Sequence, residues 1–132
     1  MRALRSGSGA QEIDRLAKLI SFDIDGTLEI GEPPGIITMD LVRKARSLGY
    51  LIGSCSDRTV STQVRLWNEQ RISVDFTVLK QNLEEVKARF KVEAYYHIGD
   101  TELDHFYAKE AGFHFVQAEA DAWLESMPEL PL

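Results

Sequence analysis

An apolar run that ends in two aspartates constrains this chain more than any other feature. Residues 19–28 read LISFDIDGTL, so that Leu19, Ile20, Ser21 and Phe22 lead into Asp23-Ile24-Asp25 and stop at Gly26-Thr27. This is the pattern of a buried strand, Leu19 to Ile24, delivering two carboxylates to a tight turn. Asp23 and Asp25 are two positions apart and share one face of an extended backbone. Carboxylates held that close repel, and the site needs a proton or a cation. For oxygen-only donors a hard ion such as Mg²⁺ is the usual solution. The run therefore points to a metal and acid/base site at the end of the first strand. Its competitor is a purely structural Asp-Gly turn.

The rest of the chain alternates strands with helices. Ile13, Leu16, Ala17 and Ile20 suggest a short helical lead-in. After strand one, the loop Glu29 to Ile37 contains Gly31, Pro33, Pro34 and Gly35, which exclude regular helix. Thr38 caps a helix with Leu41, Val42, Ala45 and Leu48 on one stripe, ended by Gly49. Tyr50 to Ser54 is strand two. Thr59 to Gln70 places Val60, Val64 and Trp67 at helical spacing. Val74 to Leu79 is strand three. Asn82 caps the next helix, supported by Glu85, with Leu83, Val86 and Phe90 inward. Ala94 to Ile98 is strand four, Thr101 opens a helix closed by Gly112, and Phe113 to Val116 is strand five. Ala120 to Ser126 forms a last short helix.

This order implies right-handed crossovers and a three-layer α/β/α Rossmannoid with a mainly parallel five-stranded sheet. In such sheets function gathers at the carboxyl ends of the strands. With 132 residues the chain suits one domain, 11–132, after a Gly/Ser-containing leader at 1–10. No apolar run approaches the ~20 residues of a membrane helix. One cysteine, Cys55, precludes an internal disulfide, which makes the cytoplasm the expected setting. The net charge of −6 argues against a general grip on nucleic acid. It leaves room for a phosphorylated substrate, because a local cation reverses the field of one cleft.

The predicted strand ends carry a specific set. They are Asp23-Ile24-Asp25-Gly26-Thr27, then Cys55-Ser56-Asp57-Arg58, then Lys80, then Gly99-Asp100 with Asp104 one helical turn on. Phosphoryl transfer through a covalent intermediate asks for these groups. One carboxylate attacks phosphorus, and a second carboxyl protonates the leaving oxygen and then activates water. Mg²⁺ shields the nucleophile, while a hydroxyl and an ammonium hold the phosphate oxygens.

In these residues the chain resembles the haloacid dehalogenase superfamily of phosphatases. DIDGT at 23–27 is similar to its first motif, Ser56 to the second, Lys80 to the third, and GDTELD at 99–104 to the fourth. The resemblance spans roughly residues 19 to 117. It implies that Asp23 is nucleophile and metal ligand, and that Asp25 is the general acid/base with its backbone carbonyl toward the metal. Gly26, Thr27, Ser56, Asp57 and Lys80 then surround the phosphate, and Asp100 binds Mg²⁺ with Asp104 in or beside the outer shell. A second acid at Asp25 favours phosphate hydrolysis over dehalogenation.

Other side chains have plainer uses. Ser54 competes with Ser56 for the hydroxyl role, and Ser56 is preferred at the strand exit. Lys87 competes with Lys80, but an ion pair with Glu84 is its expected use. Thr101-x-x-Asp104 is also a capping box. Arg58 either touches substrate or pairs with Asp57 or a neighbour, and pairing is the expected use. His97, His105 and His114 lack the spacing of a zinc site, and the two in strands are expected to be packed. Cys55 reads as a buried filler and Trp67 as core.

The segments Thr27 to Cys55 and Arg58 to Lys80 leave no room for the cap domain that many relatives carry. The expected site is open, with Glu29 to Ile37 as a small flap. An open site suits a phosphate on a large molecule, or completion by a second copy of the chain. The alternative is a non-catalytic interaction module, either a degenerate relative or a receiver domain. In a receiver the phosphorylated aspartate ends strand three and the lysine follows strand five, an order this chain does not have.

Overall fold

A computed structural model describes residues 14–118. The leader 1–10, the expected helix Ala120 to Ser126 and Trp123 lie outside the described residues. Five strands, β1 (Asp14–Phe22), β2 (Leu51–Ser56), β3 (Phe76–Leu79), β4 (Val92–Gly99) and β5 (His114–Gln117), alternate with four helices. The helices are α1 (Met39–Ser47), α2 (Val60–Gln70), α3 (Leu83–Arg89) and α4 (Glu102–Ala111). The sheet order is β3-β2-β1-β4-β5, and every pairing is parallel. Phe22 is in register with Ser54 on one side and Ile98 on the other, so β1 is the middle strand.

Alternating side chains send β1 into two cores. Ile20, Phe22 and Ile24 pack with Ile52, Tyr96 and Ile98 under α1 and α2, where Val42, Ala45 and Trp67 cover them. Leu19 joins Cys55, Phe76, Val78 and Phe113 on the opposite face, covered by Leu83 and Val86 of α3 and Ala108 and Ala111 of α4. Helices on both faces make the three layers and explain why the consecutive residues Leu19 and Ile20 of the central strand are both fully buried.

That double burial also corrects the expected helical lead-in. Leu16, Ala17 and Ile20 belong to β1, which starts at Asp14 and pairs with Val92 and Ala94 of β4. A spacing that suited a helix is overridden by pairing with β4, and β2 joins the other edge only from Leu19 onward.

Local chemistry sets the helix starts. Thr38 accepts from Leu41 N and Thr59 from Thr62 N, as N-cap hydroxyls do. In α2 the buried face is Gln63 and Trp67, whereas Val60 and Val64 are exposed, contrary to the apolar spacing. Gln63 goes inward because it has partners there: Ser54 Oγ donates to it, and its amide donates to the Arg58 and Val78 carbonyls. Asn82 makes no capping hydrogen bond, contrary to expectation, because a 3₁₀ turn over Lys80–Asn82 runs directly into α3. Lys87 does not pair with Glu84. It donates to the Gly112 carbonyl at the end of α4, a favourable place for a cation.

The loop after β1 is pinned back on the aspartate turn. Leu28 bridges to Ile37, Gly26 N donates to the Pro33 carbonyl, and Met39 N donates to the Glu29 carboxylate. Among the described residues no inserted domain interrupts this loop or the β2–β3 connection.

Candidate active site

The carboxyl ends of β1, β2, β3 and β4 bring the sequence-predicted residues to one edge of the sheet. Asp23 extends the central strand, its N–H bonded to the Ile98 carbonyl at 2.9 Å. The chain then turns through Gly26 at φ +80°, a conformation that glycine adopts without a Cβ penalty. A Cβ at Gly26 would collide with the Asp100 carboxylate, so the turn also clears the space in which Asp100 sits.

Thr27 Oγ1 donates to Asp23 Oδ2 at 3.0 Å and lies 3.4 Å from Asp100 Oδ1. Lys80 Nζ reaches Asp23 Oδ1 at 3.6 Å and Asp104 Oδ1 at 3.3 Å, from a nearly buried side chain. Asp57, expected beside substrate, stands exposed with its carboxylate 3.8 Å from the same ammonium. Ser56 is buried and accepts from Arg58 N at 3.0 Å. Ser54, its competitor, is held between Gln63 and the Trp67 ring N–H in the core.

Asp23, Asp100 and Asp104 each offer an oxygen within 4.8 Å of the others. They are not equivalent. Asp104 Oδ2 accepts from Thr101 Oγ1, Thr101 N and Asp100 N, and Oδ1 faces Lys80 and His97. Its acceptor capacity is used by the protein. Asp104 is at once a capping-box residue of α4 and the anchor of Lys80 and of the Asp100 backbone. Asp23 and Asp100 keep the oxygens that a hard cation takes.

Electrostatics separates these acids. Burial, with the neighbouring Asp104 charge, pushes Asp23 up to about 7 against the pull of Lys80 and Thr27. Burial opposes ionisation of Asp104 too, but the His97 and Thr101 hydrogen bonds and Lys80 outweigh it and hold Asp104 well below the carboxylate range. Burial disfavours the Lys80 ammonium, yet Asp23, Asp104 and Asp57 raise it overall. Asp23 therefore carries the charge the surroundings leave uncompensated. An oxygen-only donor set around such a group fits Mg²⁺.

Asp25 has a different neighbour. Arg58 Nε lies 3.2 and 3.1 Å from its two oxygens and Nη2 lies 2.7 Å from Oδ1. This fork, helped by the Glu32 N–H and opposed by burial, lowers the Asp25 carboxyl. Arg58 pairs with an acid 33 positions away rather than with the adjacent Asp57.

His97 was expected to be packed, and it is wholly buried, but it also supports the site. Nε2 faces Asp104 at 3.1 Å and Nδ1 faces Ser21 Oγ at 2.9 Å. The available signal was two polar residues inside apolar strands, at paired positions of β1 and β4. His114 is exposed, contrary to expectation, with its ring beside Tyr96. Cys55 is buried as expected, and burial raises its thiol.

A surface groove of about 580 Å³ lies at the amino end of β3 beside Trp67, Arg71, Asp75 and Phe76, and none of the site acids line it. The sequence-predicted site residues lie instead on the carboxyl edge of the sheet. Protein-family profiles give no match to this chain, and no curated protein matches it.

Proposed function

We propose that this chain is a Mg²⁺-dependent phosphomonoester hydrolase of the haloacid dehalogenase type, acting through an aspartyl phosphate on Asp23. The observation that carries this reading is the arrangement of Lys80 and Thr27 on either oxygen of a buried Asp23, with Asp100 alongside. An anion nucleophile attacking an anionic phosphate needs its own charge and that of the phosphate balanced. Asp23 and Asp100, with the Asp25 backbone carbonyl, would hold Mg²⁺. Bound there, the ion would offset the charge of the phosphate and of the nucleophile.

The residues then divide the work. An Asp23 carboxylate oxygen attacks phosphorus and the bond to the ester oxygen breaks. The Asp25 carboxyl gives its proton to the departing oxygen. Asp25, now a carboxylate, takes a proton from water, whose oxygen attacks the aspartyl phosphate. Phosphate leaves and Asp23 is regenerated. Lys80 neutralises the phosphate oxygens and the Ser56 hydroxyl orients them, while the Gly26 and Thr27 N–H groups, expected at the phosphate, are already bonded to the Pro33 and Ile24 carbonyls.

Hydrolysis of an aryl phosphate tests this directly. Turnover that needs Mg²⁺, stops with EDTA and is lost in Asp23→Asn supports it. Wild-type protein inert toward a broad panel of phosphomonoesters with Mg²⁺ present would sink it.

A further inference from the structure

Arg58 closes its guanidinium on Asp25, the group that the proposed reaction needs free. Three contacts of 2.7 to 3.2 Å join the two side chains, and Glu32 N donates to Asp25 Oδ1 at 2.7 Å. Both carboxylate oxygens are thereby turned to the arginine, so Asp25 cannot face a leaving oxygen while the pair holds. Nothing ties the other end of the fork so firmly. The Arg58 backbone is fixed, its N–H on Ser56 Oγ and its carbonyl accepting from Gln63, while its side chain remains 26% exposed. Asp23 and Lys80, by contrast, are only 5% and 7% exposed. The Arg58–Asp25 pair therefore stands on the open side of the site, and the proposed role of Asp25 as acid makes that the leaving-group side.

A guanidinium fork accepts a carboxylate or a phosphate with similar geometry. Lys80 lies on the nucleophile side, beside Asp23 and Asp104, where it serves the transferred phosphate. An anion arriving on the open side meets Arg58.

We propose that Arg58 exchanges Asp25 for a second anionic group on the leaving side of the substrate. The substrate then frees its own acid, and the preferred class is phosphomonoesters carrying an additional carboxylate or phosphate. This inference rests on the phosphatase reading of the same site. It makes Arg58 a specificity-determining residue that touches substrate.

The test is calorimetric binding with Mg²⁺ present, which needs no turnover. Three probes are compared: 3-phosphonopropionate, propane-1,3-diphosphonate and the neutral-tailed butylphosphonate. Wild type binds at least one of the two doubly anionic probes about tenfold more tightly than butylphosphonate, and which one wins identifies the second group as carboxylate or phosphate. Arg58→Ala reduces that ratio to within about twofold, and Arg58→Lys, which keeps charge but loses the fork, falls between. A wild-type ratio near one, no binding of either doubly anionic probe, or a ratio retained in a folded Arg58→Ala protein overturns the inference. Aryl phosphate turnover reports separately. Turnover without the binding preference removes the Arg58 role alone, and preference without turnover removes the phosphatase reading.

Discussion

His97 Nε2 lies 3.1 Å from Asp104 Oδ1, and neither side chain reaches solvent. Asp104 is a buried carboxylate, so the imidazole proton on Nε2 is one of the donors that keep it ionised, and Ser21 completes the other ring nitrogen. Replacing His97 with Leu leaves the Asp104 and Ser21 oxygens each short of a partner. The expected loss is about 1–3 kcal/mol in urea unfolding. His97→Gln, which can still donate to Asp104, should recover part of it. Equal stability of His97→Leu and wild type would show that the bond contributes nothing.

Asp23→Asn removes a buried charge that metal-free protein compensates poorly. In EDTA the variant should unfold at the same or a higher temperature than wild type, while Mg²⁺ no longer stabilises it. Its turnover should fall by a factor of about 10³ or more, because the proposed phosphoryl acceptor is lost. Differential scanning fluorimetry with and without Mg²⁺ measures the first two effects.

Stability of the metal-free protein should fall as pH rises. Folded Asp23, at about 7, retains a proton that the unfolded chain has already released. Its contribution is full below the unfolded carboxylate value and is lost as pH rises through about 7. Asp104 has the opposite sign: its stabilisation is present at neutral pH and is lost on strong acidification. Urea midpoints in EDTA at about pH 5 and about pH 8 should therefore decline for wild type and stay level for Asp23→Asn. Mg²⁺ should restore wild type more at the higher pH.

Gly26→Ala places a Cβ against the Asp100 carboxylate at a residue with φ +80°. Two costs follow: backbone strain of about 1 kcal/mol, and displacement of a proposed metal ligand. Mg²⁺ affinity should weaken by about tenfold or more. Gly49→Ala is the comparison, since that glycine also has positive φ but nothing within 4 Å of its Cβ direction. Matching losses of Mg²⁺ affinity in the two variants would assign the effect to backbone strain alone.

The sheet and its loaded edge were legible because the relevant signals are local. Apolar runs marked β2 to β5 and the carboxyl end of β1 to within about two residues, and Asp23, Ser56, Lys80 and Asp100 each follow a run directly. Lys80 was separable from Lys87 by its place at a strand exit. Three features depended on packing and were hidden. The inward face of α2 is set by hydrogen-bond partners for Gln63, not by the spacing of Val60 and Val64. The start of β1 is set by β4, which follows it by some 70 residues in the chain. Arg58 chooses Asp25 over adjacent Asp57 because the turn after β1 and the exit of β2 meet only in the folded sheet.

The position of Asp23 at the tip of the middle strand has one more consequence. Its amide is bonded to Ile98, in line with a ladder supported on both flanks. In deuterated solvent that amide should be among the last to exchange, releasing its hydrogen only when the whole molecule opens. The proposed nucleophile is thereby held in place through any motion short of that global opening.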